Sequence, residues 1–358
     1  MFRRIAAAVG AILLALSPLP GEAQSQPAVV EGDFVAKDFR FASGETLPEV
    51  RIHYRTIGTP RKGADGVVTN AVLILHGTGG SGRGFLGEGY AGLLFRKGQL
   101  LDAERYFIIL PDNVGHGQSS KPSDGLRMKF PRYGYRDMVT LQHLLVSEGL
   151  RLTRLRLVMG TSMGGMHTWM WGHMYPGFAE GLVPLASNPV GIAGRNRVWR
   201  KALVDAIVTD PTWQNGEYSD PPRGMASAIG FLLMATSTPL QWQRQFPTAA
   251  AADKYLADQV ASRTAATDAN DMIYYFRASG DYDPSPHLEK ITAPLLAINS
   301  ADDFVNPPEL PMMAELIKRV KRGRFVLVPV SEQTRGHGTH SQPQIWGAEL
   351  ERFLGELR

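Results

Sequence analysis

Hydrophobic positions along the chain fall into short unbroken runs separated by longer stretches of helical spacing. Residues 71–75, 106–110, 155–159, 182–186, 294–298 and 324–329 read as strands, the most continuous of them apolar enough to be covered on both faces. Residues 50–57 alternate instead, the pattern of an early exposed-edge strand. Helical spacing dominates 135–148, the stretch after residue 162, and a closing segment over about 345–357. Strands alternating with helices predict a mostly parallel sheet with helices on both faces. Residues 188–283 break the alternation: Trp199, Trp213, Phe231, Leu232, Met234, Trp242, Phe246 and Tyr255 sit at helical spacing, with no strand signal between them. The expected layout is a core over 24–187 and 284–358, with a helical cap over 188–283 inserted after the strand at 182–186. The cap's aromatics are expected chiefly to pack its own interior.

Composition changes this picture little. With 358 residues, 44% hydrophobic and 20% charged, the chain has ample material for a large core, and its formal charge of +4 is spread along its length. One basic run, Lys318, Arg319, Lys321, Arg322 and Arg324, closes a predicted helix, where cations face the negative end of the helix dipole. No aromatic platform accompanies it, so no nucleic-acid partner is expected. The first 23 residues are set apart: Arg3 and Arg4, an apolar run over 5–16, Pro18 and Pro20, then Gly21-Glu22-Ala23. This is the layout of a secretory signal, too short to span a bilayer stably. A periplasmic or secreted mature chain starting near Gln24, with no membrane span, is expected. The sequence has no cysteine, which excludes disulfides and thiolate metal sites.

The candidate chemistry centres on Gly160-Thr161-Ser162-Met163-Gly164-Gly165, a G-x-S-x-G segment between a strand and a helix. Such a turn strains the serine and lifts its hydroxyl clear of the sheet, and it leaves the next backbone N–H, that of Met163, free as an oxyanion donor. A serine hydroxyl needs a base, and the base needs a third group to orient it. In hydrolases of this strand–helix layout the order is serine, acid, histidine, with the last two in loops after late strands. Asp302 and Asp303 follow the strand at 294–298, and His337 and His340 follow the strand at 324–329. Asp303 is preferred as the acid, with Asp302 capping the turn. His337 is preferred as the base because glycines flank it, with His340 in reserve. The second oxyanion donor is expected from Thr78, in the loop after residues 71–75. That loop, 77–82, also fits G-x-G-x-x-G, with Asp112 ending the next strand as a ribose-binding acid might. This dinucleotide-binding alternative is weakened by glycines that continue where a helix should open. No spaced metal-ligand set is present, so neither metal nor cofactor is expected.

Several further segments carry a resemblance. They are His53-Tyr54-Arg55-Thr56-Ile57-Gly58-Thr59, Asp102-Ala103-Glu104-Arg105-Tyr106-Phe107, Arg136-Asp137-Met138-Val139, 160–166, Asp210-Pro211-Thr212-Trp213 with Gly216-Glu217-Tyr218, Asp268-Ala269-Asn270, and 303–308. On these the chain resembles the homoserine O-acetyltransferase family of the α/β-hydrolase superfamily from about Val50 to the end. The resemblance implies an α/β-hydrolase fold, Ser162, Asp303 and His337 as triad, and a dimer formed through the cap. Two departures stand out. Val204 occupies the place of the arginine that holds the amino-acid carboxylate in family acetyltransferases, the nearest arginine being Arg200, and Gly338 replaces an aspartate. The expectation is therefore a serine hydrolase that cleaves an ester or related acyl bond of a small molecule through an acyl-enzyme on Ser162. The alternative is an O-acyltransferase using an acyl-CoA donor.

Overall fold

The computed structural model describes residues 28–357; the expected signal segment lies outside them. Eight strands form one sheet: β1 (Val29–Arg40), β2 (Thr46–Ile57), β3 (Ala71–Leu75), β4 (Phe107–Pro111), β5 (Leu157–Thr161), β6 (Leu182–Leu185), β7 (Leu295–Ser300) and β8 (Gly323–Val328). Their spatial order is β1-β2-β4-β3-β5-β6-β7-β8. β2 pairs antiparallel with both β1 and β4, and every other pairing is parallel. The edge position expected of residues 50–57 is therefore taken by β1. Hydrophobic pattern alone does not reveal β1, because charged residues interrupt its few apolar positions.

Period-two alternation along the strands splits the core into two layers. Leu73, Leu75, Ile109 and Val158 face one side, where α2 (Tyr135–Leu144) and α3 (Met163–Met174) contribute Met138, Trp169 and Met170. Val72, Ile74, Ile108 and Met159 face the other, against α1 (Ala91–Leu94) and α10 (Pro343–Glu356), which supply Leu94, Trp346 and Leu350. α3 is buried from Met163 to Gly172, His167 and Thr168 included, because it threads through the core.

Between β6 and β7 lie α4 (Gly194–Val208), α5 (Gly224–Thr236), α6 (Pro239–Gln245), α7 (Ala249–Ala266) and α8 (Ala269–Arg277); α9 (Met312–Leu316) precedes β8. Leu203, Val204, Ile207, Trp213, Met225, Ile229, Ile273 and Phe276 give α4–α8 an apolar cluster of their own, with Trp199 and Trp242 packed against it. Phe231 and Met234 are exposed rather than internal. No described helix is long and apolar enough to cross a membrane.

Candidate active site

Parallel pairing brings the chemistry to one edge of the sheet. Leu75 is level with Gly160, Thr161 with Leu185, Leu185 with Ile298, and Ser300 with Val328. The segments that leave these strand ends, at 76–82, 162–163, 301–306 and 329–341, therefore emerge side by side, at the carboxyl ends where ligands bind in such sheets.

At the turn from β5 to α3, Ser162 has φ 55° and ψ −112°, a left-handed conformation that costs energy for a residue with a side chain. The turn closes only because its neighbours are small. A Cβ at Gly160 would lie 2.2 Å from the Gly164 carbonyl oxygen, and one at Gly164 would lie 2.0 Å from that of Leu75. The Ser162 N–H is anchored on the Leu185 carbonyl at 2.9 Å. Its Oγ lies 2.8 Å from His337 Nε2, and His337 Nδ1 lies 2.9 Å from Asp303 Oδ2. A carboxylate can only accept, so the neutral imidazole carries its proton on Nδ1 and turns a lone pair toward the serine hydroxyl.

Asp303 is 1% exposed. Burial pushes its carboxyl pKa up, but the His337 charge and hydrogen bond, the Asn306 amide and the Val305 N–H outweigh burial and hold it below the usual carboxylate range. Val305 N–H donates to Oδ1 at 2.7 Å, and Asn306 Nδ2 donates to Oδ2 at 3.0 Å and to the Ala186 carbonyl at 2.9 Å. Asn306 was not singled out as a site residue from the sequence; its signal was its place in the 303–308 segment.

The reserve candidates have other positions. Asp302 accepts from Ser300 Oγ at 2.5 Å, Thr334 Oγ1 at 2.8 Å and Gly336 N–H at 3.1 Å, tying the loop that carries His337 to the end of β7. His340 Nδ1 bonds Ser341 Oγ at 3.0 Å, and its ring stands edge-on to His337 at 5.3 Å. Burial, with the neighbouring His337, pushes its pKa down to about 3.

Met163 opens α3, so its N–H has no carbonyl one turn back to bond and lies at the positive end of the helix dipole. Thr78 follows Gly77, whose Cβ position would be 3.4 Å from Ser162 Cβ, so the strand-end loop runs directly past the nucleophile. The same loop does not form a dinucleotide-binding turn. Glycine-rich 77–82 runs into a short 3-10 turn, Gly82–Leu86, rather than a helix. Asp112 is fully buried and bonded to Arg55 at 3.1 Å, Gly82 N–H at 2.7 Å and Gln118 N–H at 2.9 Å. It is a buried structural anchor, both of its oxygens already bonded within the protein. No group of three metal-binding side chains occurs among the described residues.

From Ser162 and His337 a cleft of about 770 Å³ opens between the start of α4 and the 301–312 segment. Its walls are largely apolar, including Met166, Val190, Ile192, Val305, Leu310 and Met312. None of the eight α4–α8 aromatic and apolar residues marked in the sequence lines it; its aromatic walls are Tyr282 and Phe304.

A second feature lies on α4. Arg200 is 3% exposed, its Nε bonded to Asn196 Oδ1 at 2.8 Å and its guanidinium 4.8 Å from the centre of the Trp199 ring. Burial lowers its pKa, and Tyr135 offsets part of that. Among the described residues no carboxylate pairs with it, and Nη1 makes no hydrogen bond. Burial raises the pKa of the Tyr135 hydroxyl, and the Arg200 charge and Thr78 hydroxyl beside it lower it in part. Tyr135 Oη and Thr78 Oγ1 are likewise buried without a well-formed hydrogen bond. Arg200, Tyr135 and Thr78 thus face one another beside the loop that passes the nucleophile, each with hydrogen-bonding capacity left over. Val204, one helical turn on, is packed in the α4–α8 apolar cluster.

The family model described as the α/β hydrolase fold matches residues 70–329. A curated relative, homoserine O-acetyltransferase of Pelobacter propionicus, is 32% identical over 362 aligned positions, covering 89% of this chain and 94% of its own. The chain belongs to the homoserine O-acetyltransferase-like family of α/β hydrolases. Among solved structures, homoserine O-acetyltransferase from Bacillus anthracis superposes with a TM-score of 0.81 at 21% identity, covering 92% of this chain and 98% of that one. Esterase E22 superposes with a TM-score of 0.78, also at 21% identity, covering 91% of this chain and 100% of that one. At that identity these likenesses speak to the fold, which transferases and esterases share. The curated relative is named for acyl transfer and esterase E22 for ester cleavage.

Proposed function

We propose that this protein is a serine O-acyltransferase that passes an acyl group from Ser162 to the hydroxyl of a small carboxylate-bearing acceptor such as homoserine. Ser162 Oγ attacks the donor carbonyl as its proton moves to His337 Nε2, and Asp303 stabilises the imidazolium. The N–H groups of Met163 and Thr78 receive the oxyanion. His337 then returns the proton to the departing thiol or alcohol, leaving the acyl group on Ser162. In the second half His337 takes the acceptor's hydroxyl proton, the acceptor oxygen attacks, and Ser162 Oγ is released and reprotonated. The apolar cleft suits the donor side of this exchange.

The observation that carries transfer over hydrolysis is Arg200. A buried guanidinium without a counter-ion is costly unless a ligand anion completes it, and a planar carboxylate is the anion it fits best. Tyr135 and Thr78 offer hydroxyls to the same ligand. Val204 favours the second reading, in which water is the acceptor, because it removes the cation that family acetyltransferases carry there. Export by the leader favours it too, since it would separate the enzyme from cytoplasmic acyl-CoA.

The test is free-thiol release from acetyl-CoA by the purified protein, with and without homoserine. Homoserine-dependent release, lost in Arg200→Met while acylation of Ser162 persists, is the expected result. Release at the same rate without homoserine would leave ester or thioester hydrolysis as the activity.

A further inference from the structure

We propose that His76 is a positioning residue for the oxyanion hole: it orients the Gly77–Thr78 peptide so that the Thr78 N–H faces the tetrahedral intermediate. The inference rests on the acyl-transfer reading and goes beyond it to name what holds the second oxyanion donor in place. A peptide unit is planar and trans, so its C=O and N–H point in opposite directions, and whatever fixes one fixes the other. The Gly77 carbonyl is held twice, by His76 Nδ1 at 2.8 Å and by the Gly80 N–H at 3.0 Å. The Thr78 N–H of the same peptide is therefore directed the opposite way, in a loop that passes within 3.4 Å of Ser162 Cβ at the Gly77 Cβ position.

His76 can donate to that carbonyl in only one neutral tautomer, and the structure selects it. The backbone N–H of Asn113, which can only donate, lies 3.0 Å from His76 Nε2. Nε2 must then be the acceptor, and the single proton sits on Nδ1. Asn113 Nδ2 supports the same assignment at 3.0 Å, because Asn113 Oδ1 is already taken by Gln142 Nε2. Gln142 Oε1 in turn accepts from Trp171 Nε1 at 2.7 Å. The chain from α3 through α2 to the end of β3 is buried throughout, with His76 2%, Asn113 1% and Gln142 1% exposed. The triad uses none of these groups. Burial lowers the His76 pKa despite the Gly77 bond and the Asp112 charge, which keeps the ring neutral.

The test compares His76→Phe, His76→Asn and His76→Gln with the wild type. The readouts are kcat and KM on a simple acetyl ester and the rate of Ser162 labelling by a fluorophosphonate. Asn places an amide where Nδ1 was; Gln places it near Nε2. Losing control of one oxyanion donor predicts that His76→Phe lowers kcat by roughly 10²-fold with KM nearly unchanged, and slows labelling in proportion. His76→Asn should recover most of the loss and His76→Gln should not. In the wild type, the ring should show a protonated Nδ1 and an unprotonated Nε2 by ¹⁵N NMR. If His76→Phe proves unfolded, the Asn and Gln variants decide the matter, and Gln equal to or better than Asn overturns the proposal. Wild-type labelling rates in His76→Phe overturn the inference alone. Absence of label on Ser162 in the wild type overturns the acyl-transfer reading, and this inference with it.

Discussion

Two histidines and two aspartates compete for roles in the last loops, and the distances separate them. His337 lies within hydrogen-bond reach of both Ser162 and Asp303, whereas His340 bonds Ser341. Because burial holds the His340 pKa at about 3, that ring stays neutral through the working range and cannot supply an acid limb near neutrality. His340→Gln should therefore leave the shape of the pH–rate profile unchanged, while His337→Ala should remove turnover by several powers of ten. A shifted acid limb in His340→Gln would move the base assignment. Ser162 was legible in the sequence because everything the elbow needs is local. The choice between Asp303 and Asp302 was open on local grounds, since it depends on Asn306 and Thr334, which meet those carboxylates only in three dimensions. The burial of Arg200 was not legible either. Residues 200 and 204 share one face of α4, and that face is buried at both positions, which spacing alone does not reveal. Arg200→Met should keep or raise the Tm by removing a buried unpaired cation, at the expense of acceptor use. Thermal melts of the two proteins check this, and a large drop in Tm would mark Arg200 as a structural residue instead.

At the scale of elements, the parallel strands were readable because burial on both faces leaves short unbroken apolar runs. β1 was not, and it gives the sheet an antiparallel edge. The helices over residues 194–277 were readable from spacing, but their contacts with the core were not. One such contact carries a pH signature. Asp271, in the first turn of α8, accepts from Ser123 N–H at 2.9 Å and Ser123 Oγ at 2.6 Å. Burial raises its pKa to about 6 against the bonds from Ser123. A carboxyl raised in the folded state contributes stability below its unfolded pKa, and that contribution is lost as pH rises through about 6. Asp271→Asn, which keeps both bonds to Ser123 and cannot ionise, should raise the Tm at pH ~8 and leave it unchanged near pH ~4. Equal shifts at both pH values would contradict this account of α8. Asp302 offers a second check: Asp302→Ala frees the His337 loop from β7 and should lower kcat about tenfold or more with little change in KM.

For the whole molecule, one edge of one sheet gathers a strained serine, a histidine in the required tautomer and a buried carboxylate. A buried cation stands beside them. The fold is shared by transferases and esterases, so it does not choose between acceptors. The expected leader adds a question of compartment, and N-terminal sequencing of protein recovered from the periplasm or medium should find a start near Gln24. The central claim, acyl transfer through Ser162, is tested most directly by fluorophosphonate labelling with peptide mapping, alongside turnover of Ser162→Ala. The account predicts label on Ser162 and loss of turnover by several powers of ten in a variant that remains folded. Label on another residue, or turnover near the wild-type rate without the Ser162 hydroxyl, would contradict it.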